Sequence, residues 1–174
     1  MKVNFLSFIL LSTCLCMASS TMIKDELDSH CKAVAFRVAG EAAEDIEALF
    51  GKKYKLHYGG FGGGLIDQIN MIALIFFCHQ ELDMETSAQI ARQCTKIFID
   101  KINNDQEIIP YLAKYPADSD LTKIILEFDF KDTVEVSDII NCTAHRSTIS
   151  FCKYKDKAID IPLDLNLAPK SGRK

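Results

Sequence analysis

From Asp25 to Phe50 the apolar residues Leu27, Cys31, Val34, Val38, Ala42, Ile46 and Leu49 recur at steps of three and four, the spacing that gathers them on one stripe of a helix. Asp25, Glu26 and Asp28 crowd the first turn and Gly51, Lys52 and Lys53 follow the last, in keeping with dipole and capping preferences. The spacing predicts one long amphipathic helix over 25–50. Tyr54 to Tyr58 alternates, and after Gly59, Gly60, Phe61, Gly62, Gly63 and Gly64 comes a segment to Gln80 rich in Ile and Phe. This reads as two strands around a glycine turn, with Leu65 to Asn70 as a short helical turn in the alternative reading.

Asp83 opens a second helix reaching about Asn104, with Met84, Ala88, Ala91, Cys94, Phe98 and Ile102 on its inner face. Pro110 and Pro116 bracket an irregular connection, because neither could sit inside a helix without breaking it. From Leu121 the period changes to two: Ile124, Leu126, Phe128 and Phe130 alternate with Lys123, Glu127 and Asp129, and only Ile125 falls out of step. Lys131 and Asp132 turn the chain into Thr133 to Cys142, where Val134, Val136, Ile140 and Cys142 share one parity, and a last strand runs from Thr148 to about Lys155.

The order helix, strand, strand, helix, strand, strand, strand predicts an α+β fold: two helices packed on a mostly antiparallel sheet of about five strands. The roadblock and profilin-like architectures share that order, a topological likeness that carries no function with it. A length of 174 residues suits one core, placed at 21–160. The tail 161–174, with Pro162, Pro169 and a terminal Lys-Ser-Gly-Arg-Lys, is expected to be loosely held.

Residues 1–20 have the character of a secretory leader. Lys2 supplies the positive start, the run from Val3 to Met17 is almost wholly apolar, and Ala18, Ser19 and Ser20 offer a small-residue cleavage site. The apolar run is shorter than the roughly 20 residues of a spanning helix, which favours cleavage over anchoring. The expected location is therefore secreted or periplasmic, with no transmembrane segment after cleavage. Met71 to Cys78 is apolar throughout but too short to span a bilayer and suits a buried strand. Net charge is −4 and the isoelectric point about 5.6, so the chain lacks the basic field that nucleic-acid binding needs.

Without the leader, Cys31, Cys78, Cys94, Cys142 and Cys152 remain, an odd number. Cys142 and Cys152 are the disulfide candidate, because they stand in two arms of an apparent hairpin. A three-residue turn at Arg146, Ser147 and Thr148 makes them face each other; a two-residue turn does not.

The glycines invite comparison with a phosphate cradle, yet no Lys followed by Ser or Thr comes after Gly64 and the G-x-G-x-x-G frame from Gly60 fails at Leu65. A turn or bulge presenting Phe61 is the favoured reading, which makes Gly59, Gly60, Phe61, Gly62, Gly63 and Gly64 a candidate interaction loop. The doublets His30-Cys31 and Cys78-His79 suggest a thiol and an imidazole, but adjacent residues point apart on a strand and on a helix, so neither is a dyad by itself. Neither H-E-x-x-H nor a C-x-x-C pattern is present to suggest a metal, and no cofactor, metal ligand or catalytic residue is assigned. Asn141-Cys142-Thr143 is a sequon whose glycan would compete with strand pairing.

The stretch from Ile102 through Asn103, Asn104, Asp105, Gln106, Glu107, Ile108, Ile109, Pro110 and Tyr111 to Leu112, with Tyr115-Pro116 beyond it and a glycine run before an apolar strand, resembles small secreted proteins of intracellular bacteria of the Legionella and Chlamydia-related kind. The likeness covers roughly residues 50 to 155. It implies an envelope or exported protein and assigns no activity. Two function classes follow. One is an exported, non-catalytic module that binds a protein or a surface, with a homodimer through a sheet edge or helix face among the options. The other is a small secreted thiol-dependent hydrolase using Cys78 or Cys94 with a remote His.

Overall fold

In a computed structural model the described residues are 5–65, 68–128, 139–153 and 158–166, with side chains from residue 28 onward. The turn at Lys131 and Asp132, the positions Val134 and Val136, and the tail beyond 166 lie outside them.

The first element, α1, runs without a break from Phe5 to Tyr54. The helix expected from Asp25 thus continues back through the apolar leader. Its stripe is buried at Cys31, Val34, Val38, Ala42 and Ile46, and Ala35, Ala39 and Ala43 widen it. All of them join the one core that α1 forms with the sheet. Leu49, assigned to the stripe by its spacing, stays exposed near the helix end.

Strands β1 (Leu56–Leu65) and β2 (Ile69–Cys78) form an antiparallel pair, and α2 (Met84–Asn104) carries the chain across to β3 (Thr122–Phe128). Asp83 caps α2 by accepting the Thr86 N–H at 2.8 Å, as its position before the periodic run predicts. The helix buries Ala88, Ala91, Cys94, Phe98 and Ile102 as expected, together with Ser87, Ile90 and Thr95, while Met84 is only half-buried. The chain then meanders through β4 (Ile139–His145), β5 (Thr148–Lys153) and β6 (Ile159–Pro162).

The six strands lie side by side in sequence order. The β2–β3 pair is parallel, as a helical crossover demands, and the other four pairs are antiparallel. The α+β class and the element order match expectation, with a sixth strand where five were expected. Ile161 and Pro162, assigned to the tail, pair with Ile149 and Thr148 of β5, and the next residue, Leu163, is buried with its N–H on the Ser147 carbonyl.

Both helices pack on one face of the sheet. Ile72, Leu74, Phe76 and Cys78 of β2, Ile124, Leu126 and Phe128 of β3, Cys142 and Ala144 of β4, and Ile149 and Phe151 of β5 point toward them and join one core. The alternate residues face away: Ile75, Ile125 and Thr143 are half-buried, and Phe77 and Glu127 are exposed. Ile125, out of step in the sequence, simply occupies this second face. In β4 a register shift between Ile139 and Asn141 buries Ile139 and exposes Ile140. The parity that grouped Ile140 with Cys142 fails there because a bulge inserts one residue. The helices are tied to each other and to the loop beyond α2 by ion pairs, Lys101 to Asp45 at 2.7 Å and Arg37 to Asp105 at 2.8 Å.

Candidate functional site

The glycines are not a turn. All five between 59 and 64 lie inside β1, and the chain reverses only after Leu65. They fall into two kinds. A Cβ at Gly59 would overlap the ring of Phe77, and one at Gly63 would overlap the carbonyl of Met71 on the neighbouring strand. Gly60, at a φ of 146°, follows a register shift after Tyr58 and holds a backbone geometry that side-chain-bearing residues rarely adopt. Gly62, by contrast, has nothing within 4 Å of where its Cβ would stand, so packing inside the chain does not call for a glycine there.

β1 is an outer strand of the sheet, paired with β2 alone. Its ten residues include no Lys, Arg, Asp, Glu or Pro, the residue types that usually discourage a strand edge from pairing with another chain. The opposite outer strand, β6, has four residues and ends in Pro162.

Phe61 does not crown a tip. It points to the helix side of β1, where it is half-buried and meets the ring of Phe36 edge-on, with ring centres 5.3 Å apart. Phe36 is the exposed member of the pair at 63%. Closer to the start of β1, the Glu47 carboxylate of α1 accepts the Tyr58 backbone N–H at 2.6 Å. Phe36 and Glu47 therefore place α1 alongside β1. Phe36 was not singled out in the sequence, although it lies off the apolar stripe of an amphipathic helix, where a polar residue is the expectation.

The disulfide candidate does not form in this structure. The β4–β5 turn has two residues, Arg146 and Ser147, which sets Cys142 opposite Phe151 and Cys152 opposite Asn141. The two thiols then occupy opposite faces of the sheet, Cys142 buried and Cys152 half-exposed, and both are free. Burial pushes the Cys142 thiol up to about 12 and raises that of Cys94, which is fully buried. The Cys78 thiol donates to the carbonyls of Tyr54 at 3.1 Å and Gln80 at 3.3 Å, and desolvation raises it too. Desolvation, then the Asp28 carboxylate, raises Cys31.

Among the described residues no thiol hydrogen-bonds to an imidazole. The four histidines go elsewhere: His30 meets the Tyr111 ring, His145 Nδ1 lies 2.9 Å from the Thr122 carbonyl oxygen, and His57 and His79 meet each other with ring centres 5.6 Å apart. Among the described residues no group of three or more His, Cys, Asp or Glu could hold a metal ion, and no helix is long and apolar enough to cross a membrane. Asn141 of the sequon sits inside β4, paired with β3 on one side and β5 on the other.

No family model, no curated protein and no solved structure matches this chain.

Proposed function

We propose that this chain is an exported, non-catalytic binding module that captures a protein partner along the outer edge of β1. The observation that carries the reading is the edge itself: a ten-residue outer strand free of charge and proline, with the exposed ring of Phe36 beside it. Beyond Tyr58, whose N–H the Glu47 carboxylate already holds, unpaired backbone N–H and C=O groups on such an edge accept an added strand, and neighbouring side chains supply selectivity. Gly62 fits this use, since a bare backbone there lets a partner approach where the fold makes no demand of its own.

Support for export comes from the charge, apolarity and small-residue patch of residues 1–20 and from the resemblance to secreted proteins of intracellular bacteria. The thiol hydrolase reading gains nothing from the cysteine surroundings: a nucleophile needs an accessible thiolate beside a base, whereas Cys78 is bound to two carbonyls and Cys94 is sealed in the core.

Gly62→Lys tests the edge. The site has room for a side chain, so the fold should persist, while a charged residue at the edge opposes strand addition. A partner retained by the wild-type protein from envelope extract, identified by mass spectrometry and lost with Gly62→Lys, is the expected result. Equal retention by the variant would overturn the edge reading. Sequencing the amino terminus of exported protein should return Thr21, and an intact Met1 there would overturn the export reading.

A further inference from the structure

The two imidazoles that meet at one end of the β1–β2 ladder are a ready donor set. We propose that His57 and His79 form an open binding site for a borderline divalent transition-metal ion, of the copper(II), nickel(II) or zinc(II) class. The inference stands independently of partner capture at the β1 edge.

The register brings the two rings together. His57 pairs with Phe77, and His79 lies two residues beyond Phe77, so both side chains leave the same face of the sheet as diagonal neighbours. The backbone fixes both: the His79 N–H bonds to the Lys55 carbonyl at 3.2 Å, extending the contact between the two segments past the last ladder pair, Leu56 with Cys78. The ring centres stand 5.6 Å apart at an interplanar angle of 42°. With metal–nitrogen bonds of about 2.0 Å, two imidazoles on one ion have centres roughly 4–6 Å apart, so little movement is needed.

Glu47 supports the same arrangement. Its Oε1, held by the Tyr58 N–H, lies 3.8 Å from His57 Nδ1. That separation is too long for a hydrogen bond, but the negative charge on the Nδ1 side favours a cation held at the pair. Cys78, next in sequence to His79, is turned into the core and its thiol is engaged by carbonyls, so the donor set is nitrogen and not sulfur. Imidazole donors suit copper, nickel and zinc. Among the described residues these two imidazoles have no third donor grouped with them, so the remaining positions belong to water, and the His57 side chain, 62% exposed, leaves them accessible.

The test uses the full chain, freed of metal by chelation, titrated with nickel(II) and zinc(II) chloride by calorimetry and with copper(II) by electron paramagnetic resonance. One saturable site per chain is expected, with a copper signal split by two equivalent imidazole nitrogens and a higher melting temperature in the presence of metal. His57→Gln and His79→Gln should each weaken binding tenfold or more, while His30→Gln and His145→Gln leave it unchanged. Both substituted rings are exposed, so circular dichroism should show an intact fold. Absence of saturable binding at millimolar metal, or binding undiminished by either His57→Gln or His79→Gln, would overturn the proposal.

Discussion

The ring of Phe77 lies where a Cβ on Gly59 would stand, across the ladder between the first two strands of the sheet. An aromatic ring covering a strand glycine shields backbone that a side chain would otherwise cover, and the two positions become coupled. Gly59→Ala must displace that ring and should cost about 1–3 kcal/mol, as overpacking does. Gly62→Ala meets nothing and should shift stability by no more than about 0.5 kcal/mol. Urea unfolding of the two variants checks the contrast, and equal losses would show that the Phe77 contact does not set the requirement.

This contrast marks where the sequence stops being readable. Asp83 announces α2 because a cap is a local interaction, and the outward side of Ile125 is implied by a period of two. The glycines of β1 carry no such local signal. Glycine is ordinarily a turn residue, and only the ring of Phe77, the carbonyl of Met71 and the pairing with β2 show that these belong to a strand. The β4–β5 turn misleads for a similar reason. Arg146 takes a left-handed φ of 55°, unusual for such a side chain, and its N–H is held by the distant Ser119 carbonyl at 2.8 Å. A tertiary contact selects the two-residue turn, and with it the faces on which Cys142 and Cys152 lie. The side of β1 to which Phe61 points, the exposure of Phe36 and the His57–His79 meeting all depend on packing between elements, which no local pattern carries.

The hairpin register makes a direct statement about thiol chemistry. Alkylation of the native protein should label Cys152, which is half-exposed, and leave Cys94 and Cys142 unlabelled until denaturant is added. Peptide mapping without reductant checks both points at once. A peptide joining Cys142 to Cys152 would require the three-residue turn and a one-residue slip of β5.

Acid should weaken the contact between α1 and the loop after α2. The Arg37 guanidinium, 2.8 Å from Asp105, holds that carboxyl below the usual carboxylate range, helped by the Ile108 and Glu107 backbone N–H groups. A carboxyl with a lowered folded-state pKa contributes stability above its unfolded value of about 3.9 and loses it as pH falls through the lowered value. Arg37 stays charged throughout. The stability advantage of wild type over Arg37→Gln should therefore be full at pH 6 and shrink below about pH 4. Thermal melts across that range test it, and a gap that widens with acid would contradict the assignment.

Phe36 and Phe61 separate binding from folding. Phe61 is half-buried against the core, so Phe61→Ala should lower stability by about 1–3 kcal/mol and any loss of partner capture would be ambiguous. Phe36 is 63% exposed on the helix that borders the β1 edge, and Phe36→Ser removes mainly surface that water already reaches. Its cost to stability should stay within about 1 kcal/mol, while capture of a partner on that edge should fall at least tenfold, because an exposed aromatic beside a pairing edge is the kind of anchor on which binding energy concentrates. Surface plasmon resonance with the identified partner, alongside urea unfolding, gives both numbers; full capture by a stable Phe36→Ser protein would move the contact away from the aromatic pair.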